Sequence, residues 1–494
     1  MNYVSTRGKE KTPRSSAYAI KTGLASDGGL YMPEEIPSLT LKEIEDLSKK
    51  SYPERCADIL SRFLTNYTYE ELLSDAVAAY SEEKFTGGAA PVTKLSDDTY
   101  MLELWHGPTS AFKDMALQIM PRLFTRALRK CGEERCALIL VATSGDTGKA
   151  ALEGYRDIDG VKIKVYYPVD GVSSVQKKQM QTQEGKNVSV TAIKGNFDDA
   201  QNGVKKIFSD VEFAKVLDSE GVFLSSANSI NFGRLAPQIV YYISAYCELL
   251  TAGKIALGDK IDVCVPTGNF GNIFAAYVAK LMGLPIEKLV CASNMNNVLT
   301  DFLKTGKYDK NRKFYATMSP SMDILISSNL ERLLFVTLGA EKTATYMEKL
   351  NTVGKYELSP ADFEKISESF VGYYTDEEKT AETIKDTLEN KNCLIDTHTA
   401  VAVSAADSYK LDYKAERKML VVSTASAFKF ANDVLSSIRG FKEESDLTAP
   451  AALEKLTGVK MPKPLASVLS KKIIHTEVIE SGDMNTNAHA FAKN

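Results

Sequence analysis

Ile261-Asp262-Val263-Cys264-Val265-Pro266-Thr267-Gly268-Asn269-Phe270-Gly271-Asn272-Ile273-Phe274-Ala275-Ala276-Tyr277 is the stretch on which the fold turns. It opens as a short apolar run with β-branched residues, passes a turn carrying Gly268 and Gly271, and continues in helix-compatible residues. That order reads as strand, turn, helix. The same order recurs on both sides. Strand-like runs are expected at residues 138–141, 161–167, 188–193, 222–224, 261–265 and 289–292, each followed by turn residues and a helix-like stretch. Their spacing of roughly 25 to 40 residues is that of βαβ units in a mostly parallel sheet, so the class is α/β.

The rhythm breaks after Asn297. A charged, mostly helical segment is expected from about 300 to 390, as an insertion within one domain, before a further strand at residues 419–422. The first ninety or so residues read as an α-rich lead-in, punctuated by Ser26-Asp27-Gly28-Gly29 and by Pro33 and Pro37.

Composition narrows the function classes. The 494 residues are 44% hydrophobic and 25% charged, with a net charge of −4, the balance of a globular protein with a large core. No basic run offers a nucleic-acid surface. The seven cysteines include no Cys-x-x-Cys pair, and the four histidines are far apart in sequence, so neither disulfide framework nor metal site is indicated. The start, MNYVSTRGKEK, has no apolar core of a secretory signal, and no run approaches the ~20 residues that cross a bilayer. A cytoplasmic protein acting on a small molecule, away from membranes, is expected.

In open α/β sheets ligands bind where strands end and helices begin. The turn at residues 266–272 can close its backbone around an anion and point unpaired helix-start N–H groups at it, or can be an ordinary βα turn. A second turn, Ala142-Thr143-Ser144-Gly145-Asp146-Thr147-Gly148-Lys149, is too short between its glycines for a P-loop, and Ala150 stands where that motif needs a hydroxyl. Its hydroxyls still suit a carboxylate or a polar ring substituent. The third element, Leu104-Trp105-His106-Gly107-Pro108-Thr109-Ser110-Ala111-Phe112-Lys113-Asp114, sets a lysine among bulky apolar residues. Kept from water, such an amine loses protons more easily and becomes a nucleophile; solvated, it is an ordinary surface lysine. Ser225-Ser226-Ala227-Asn228-Ser229-Ile230-Asn231-Phe232-Gly233-Arg234 concentrates amides and hydroxyls before one arginine. Arg234 suits bidentate phosphate recognition, but the segment alone favours a capped helix start with Arg234 in a surface salt bridge. Ser423-Thr424-Ala425-Ser426 alone is a small-residue turn after a buried strand.

Together these segments resemble the threonine synthases, in the pyridoxal-phosphate-dependent fold type II group that includes serine/threonine dehydratases and the tryptophan synthase β-subunit. The resemblance covers nearly the whole chain. It runs from Tyr3-Val4-Ser5-Thr6-Arg7-Gly8 and Asp27-Gly28-Gly29-Leu30-Tyr31 through Phe112-Lys113-Asp114 and Gly268-Asn269-Phe270-Gly271-Asn272, and on to residues 320–325. It implies two mostly parallel sheets with flanking helices, an N-terminal α-rich segment and a helical insertion. The expected division is a lead-in at 1–95, a smaller domain at 96–220, a larger one at 221–440 holding the insertion, and an extension at 441–494.

The resemblance also implies roles. Lys113 forms the Schiff base with pyridoxal 5'-phosphate and moves protons. Gly268, Asn269, Phe270, Gly271 and Asn272 cradle the cofactor phosphate, and Thr424 faces the pyridine nitrogen. Ser144, Asp146 and Thr147 receive the substrate carboxylate or the ring hydroxyl, while Arg234, with Asn228 and Ser229, binds the substrate phosphate. Where many relatives carry His-Pro after the threonine this chain has Ser426-Ala427, which leaves that histidine's role unfilled, although Lys429 and Phe430 match.

The implied reaction turns O-phospho-L-homoserine and water into L-threonine and phosphate, in a monomer or homodimer. A phospholyase or dehydratase releasing 2-oxobutyrate is the alternative, and a non-catalytic ligand-binding relative a remoter one. Asp27-Gly28-Gly29-Leu30-Tyr31 and Arg234 disfavour the dehydratase, and an intact Lys113 and phosphate loop disfavour the non-catalytic relative.

Overall fold

Every run expected as a strand forms one. The computed structural model describes residues 1–143, 145–170 and 172–493. In chain order the strands are β1 (Tyr3–Ser5), β2 (Tyr31–Pro33), β3 (Val92–Lys94), β4 (Thr99–Glu103), β5 (Cys136–Ala142), β6 (Val161–Pro168), β7 (Val188–Lys194) and β8 (Val222–Ser225). They continue as β9 (Ile261–Pro266), β10 (Ile286–Ser293), β11 (Lys307–Asp309), β12 (Lys355–Glu357), β13 (Phe370–Tyr374), β14 (Met419–Ser423) and β15 (Val478–Glu480).

Two sheets organise the chain. One has the order β15-β7-β6-β5-β8 and is parallel throughout. The other has the order β13-β10-β9-β14-β4-β3 and is parallel except for β3, which runs antiparallel to β4 at the edge. β9 and β14 are buried along their whole length, as central parallel strands covered on both faces must be, which is why they read as apolar runs, broken in β9 only by the buried Asp262. Helix Phe232–Thr251 is buried over nearly all its turns and packs against the N-terminal helix Tyr52–Phe63 and against Gly271–Met282. Its apolar character all round follows from having neighbours on every side.

The sheets redraw the expected boundaries. β3 and β4 fall on either side of residue 95 yet both belong to the six-stranded sheet, because β4 pairs with β14 from Thr99–Met419 to Glu103–Ser423. β4, Thr99-Tyr100-Met101-Leu102-Glu103, has neither the alternation of a half-exposed strand nor a long β-branched apolar run. β8, expected in the larger domain, pairs with β5 and closes the edge of the five-stranded sheet. The insertion is not only helical: β13 lies inside it and forms an edge of the six-stranded sheet against β10. Five residues between charged helices leave little periodic signal. The C-terminal segment returns to the five-stranded sheet, where β15 pairs with β7 and helix Met484–Lys493 packs on helix Phe197–Ser209. The lead-in is α-rich, with a small β1–β2 ladder, and is tied to the insertion by Thr6 and Arg7 on Glu331. No helix of the described residues is long and apolar enough to cross a membrane.

Candidate active site

The ends of β4, β14, β9 and β5 bring the expected segments together. Beyond β4, Leu104 N–H donates to the Ser423 carbonyl at 3.0 Å and Phe112 N–H to the Thr424 carbonyl at 2.8 Å, while Ser426 N–H returns to the Ser110 carbonyl at 3.1 Å. Ala111 and Ala425 form an isolated antiparallel bridge. Lys113 and Thr424, some three hundred residues apart in sequence, are thereby held on one scaffold.

Lys113 sits at the start of the short helix Asp114–Leu117, its side chain only 13% exposed. Its Nζ lies 5.2 Å from the centre of the Phe112 ring and 3.8 Å from Asp146 Oδ2. Burial holds the amine below the ordinary lysine range; the Asp146 carboxylate pulls it back up, and the charges of Lys429 and Arg234 push it down. A lysine poised to lose its proton is the condition for an amine nucleophile.

Asp146 opens helix Asp146–Tyr155 after β5 and gathers partners from both sheets. Oδ1 meets Lys429 Nζ at 2.6 Å and accepts from Gln176 Nε2 at 2.9 Å; Oδ2 accepts from Ser321 Oγ at 3.3 Å. Burial alone would raise this carboxyl, but the Lys429 and Lys113 charges and these hydrogen bonds hold it well below the usual carboxylate range. A carboxylate so held repels a second one, so of the two expected ligands the ring hydroxyl suits Asp146 better than the substrate carboxylate, and toward the buried lysines it is a counter-charge. In the same turn Thr143 Oγ1 accepts from the backbone of Gly145 and Gly148 at 3.0 and 2.9 Å, and Thr147 is half-buried. Ser144 lies outside the described residues.

The turn after β9 is built tightly. A Cβ on Gly268 would stand 2.8 Å from the Ser321 carbonyl oxygen, so only glycine fits there without a shift. Phe270 adopts a left-handed conformation (φ 63°) and is buried, its ring 5.5 Å from that of Phe370, before helix Gly271–Met282 begins. The Gly268 carbonyl accepts from Ser327 Oγ at 2.8 Å, and the Asn269 carbonyl from Asn329 N and Nδ2, each at 3.1 Å. Asn272 Oδ1 accepts from the Tyr241 and Tyr242 hydroxyls, while its Nδ2 is buried with no partner among the described residues.

Arg234 departs from the expected surface salt bridge: it is 3% exposed and pairs with no carboxylate among the described residues. One Nη donates to the Ala227 carbonyl at 2.6 Å, and its Nε is buried without a partner. Burial pushes the guanidinium down to about 10, so it stays charged at neutral pH. Asn228 and Ser229 lie in the same strand-to-helix loop; the Asn228 carbonyl accepts from Asn231 N, and Ser229 Oγ accepts from Asn329 Nδ2 at 3.4 Å. A buried guanidinium with an open donor is suited to an anion.

Known sequences and structures identify the family. Residues 2–80 match the description "Threonine synthase N terminus" and residues 90–425 match "Pyridoxal-phosphate dependent enzyme". The threonine synthase of Pseudomonas aeruginosa is 38% identical over 440 residues, covering 88% of this chain and 90% of that one. The chain belongs to the threonine synthase family. The solved pyridoxal-phosphate-bound threonine synthase of Brucella melitensis superposes with a TM-score of 0.88 at 36% identity, covering 100% of both chains. The human protein named threonine synthase-like 1 is 40% identical over 486 residues, covering 94% of this chain; the chain spans 64% of that relative's length.

The residues fit the cofactor on which the family depends. Lys113 supplies a desolvated amine, and residues 268–272 supply a close-fitting turn at a helix start with one orphaned amide donor. Ser321, Ser327, Asn329, Arg332 and His398 were not among the expected site residues. Each holds a loop, a duty that leaves little local pattern; the visible signs were the family segment 320–325, which contains Ser321, and the run Ser327-Ser328-Asn329, crowded with capping residues.

Proposed function

We propose that the chain converts O-phospho-L-homoserine and water into L-threonine and phosphate, with pyridoxal 5'-phosphate carried on Lys113. The observation that carries this reading is the pair of unmatched features on one site: a desolvated Lys113 amine and a buried Arg234 whose charge has no carboxylate partner. The first suits a carbonyl cofactor and the second a phosphorylated substrate.

Bound pyridoxal phosphate supplies an electron sink that acidifies hydrogens on the carbons next to the substrate amine. Residues 268–272 hold its phosphate on backbone donors and the Asn272 amide, and Thr424 presents a hydroxyl to the ring nitrogen. A hydroxyl is neutral, so it does not force a charge there, as a carboxylate would. The net reaction takes a hydrogen from C3, places a hydroxyl there, and puts a hydrogen on C4 in place of phosphate. Lys113 Nζ is the group placed to carry protons between these carbons, because its burial brings it toward neutral pH. Arg234 Nε and the Ser229 hydroxyl hold the departing phosphate, and the N–H groups opening helix Asp146–Tyr155, with Ser144 and Thr147, take the substrate carboxylate. The substrate is thus a small molecule. The seven free thiols support a reducing, cytoplasmic setting, and a monomer or homodimer is the state proposed.

Phosphate release from O-phospho-L-homoserine, with chromatography of the organic product, tests the reading in wild type and Lys113→Ala. Threonine from wild type and none from the variant is the expected result. Phosphate with 2-oxobutyrate would make the chain a phospholyase. No turnover by cofactor-loaded wild type would sink the assignment.

A further inference from the structure

Two lysines share one buried carboxylate at this site, on unequal terms. The Lys429 side chain is fully buried, and its Nζ contacts Asp146 Oδ1 at 2.6 Å and the Thr109 carbonyl at 3.0 Å. Lys113 Nζ stands 3.8 Å from the other oxygen, beyond hydrogen-bonding distance. Neither Gln176 on Oδ1 nor Ser321 on Oδ2 brings charge. Left alone with Asp146 in a desolvated pocket, Lys113 would close the gap and stay an ammonium ion, which is no nucleophile. Lys429 prevents this in two ways: it takes up the carboxylate's charge at contact distance, and it adds a positive charge near Lys113.

We propose that Lys429 is a positioning residue that commits the Asp146 carboxylate to itself and so keeps the Lys113 amine in its neutral, nucleophilic form. The inference rests on reading Lys113 as the reacting amine. The elements around Lys113 bring to it Asp146 from the helix after β5, Lys429 from beyond β14, Arg234 from helix Phe232–Thr251, and Asp114 from its own helix. Asp114 is turned onto Thr109, accepting from its backbone N–H and its hydroxyl at 2.8 Å each, so it does not replace Asp146 as a partner. The device also joins the two sheets, since Asp146 follows a strand of one and Lys429 a strand of the other.

The test is the titration of Lys113 in the cofactor-free full-length chain. Trace acetylation with acetic anhydride at a series of pH values, read on the Lys113 peptide by mass spectrometry with exposed Lys254 as internal reference, gives the midpoint directly. Lys429→Met is expected to raise the Lys113 midpoint by about one pH unit, cutting its acetylation rate at pH 8 about tenfold, while Lys429→Arg stays near wild type. Asp146→Asn is expected to lower the midpoint, and adding Lys429→Met to it to raise it again by less than Lys429→Met does alone, because only the direct charge of Lys429 is then lost. An unchanged midpoint in folded Lys429→Met overturns the proposal. Should that variant not fold by circular dichroism, an unchanged midpoint in Asp146→Asn overturns it instead. The readout needs no turnover, so a chain inactive on O-phospho-L-homoserine that still shows these shifts refutes the proposed activity and leaves this inference standing.

Discussion

Ser321 donates its backbone N–H to His398 Nε2 at 3.1 Å, while His398 Nδ1 meets Asp396 Oδ2 at 2.8 Å. With Nε2 accepting, the ring proton sits on Nδ1 and is given to Asp396, a buried carboxylate that also caps helix Thr397–Tyr413. Ser321 in turn presses its carbonyl on Gly268 and its hydroxyl on Asp146. His398 therefore sets the turn that backs both the proposed phosphate loop and the Asp146 carboxylate. His398→Ala leaves the Ser321 N–H without its acceptor and takes one of two donors from Asp396 Oδ2, which keeps the backbone N–H of residue 398, costing about 1–3 kcal/mol of stability. A lowered urea midpoint together with faster loss of pyridoxal phosphate on dialysis is the expected outcome; unchanged cofactor retention would confine His398 to the fold.

Gly268→Ala tests the turn itself. The added methyl meets the Ser321 carbonyl oxygen at 2.8 Å and Met322 Cα at 3.3 Å, both main-chain atoms that cannot swing aside. The strain of about 1–3 kcal/mol falls on a surface loop contact and not on the sheets. Cofactor affinity should drop at least about fivefold, which 1 kcal/mol represents, while the melting temperature of the cofactor-free chain moves little. Fluorescence titration with pyridoxal phosphate measures the first and calorimetry the second.

These contacts show what a sequence displays and what it hides. β9 and its turn were legible because a buried parallel strand and a glycine-bearing helix start each leave a local pattern, and because residues 268–272 match a specific family motif. Lys113 was legible for the same reason. β4 was not, since Thr99-Tyr100-Met101-Leu102-Glu103 has only three apolar residues in a row and no Val or Ile among them. His398 and Arg332 escaped because the loop atoms they hold, Ser321 N and the Ser229 and Ile230 carbonyls, lie 77 and about 100 residues away, and nothing local distinguishes such a side chain from any other. The reading of Arg234 as a surface salt bridge failed on composition: charged residues are usually solvated, and only the fold shows that this one is not.

Asp114 gives a pH signature. Burial pushes its carboxyl up to about 6 from an ordinary 3.8, against the pull of the Thr109 hydrogen bonds and the Lys429 charge. The folded chain then holds this proton more tightly than the unfolded chain. Its contribution to stability is complete below about pH 4 and is lost as pH rises through 6. Asp114→Asn cannot titrate, so the wild-type stability minus that of the variant should fall between pH 4 and 7. Urea denaturation of both proteins across that range checks it, and a pH-independent difference would refute the raised carboxyl.

Arg332 prepares the site for Arg234. It is fully buried in the insertion, and its guanidinium reaches the Ile230 carbonyl at 2.5 Å, those of Ser229 and Tyr31 at 3.4 Å each, and the Asn329 amide oxygen. Burial pushes it down to about 9, still charged at neutral pH. Its fork thus pins the loop that delivers Arg234, and Glu331 beside it pins Arg7 of the lead-in. Arg332→Lys keeps the charge but not the fork, leaving a carbonyl unpaired at a cost of about 1–3 kcal/mol. If the loop positions Arg234 on the substrate phosphate, KM for O-phospho-L-homoserine should rise about tenfold or more, with kcat and cofactor affinity changed less. Arg234→Lys should lower kcat/KM at least about thirtyfold, the equivalent of 2 kcal/mol at a charged hydrogen bond. Because Arg332 acts through that same contact, the double variant should be little worse than Arg234→Lys alone. Additive losses would mean instead that the two arginines serve separate ends, and steady-state kinetics on the four proteins decides between them.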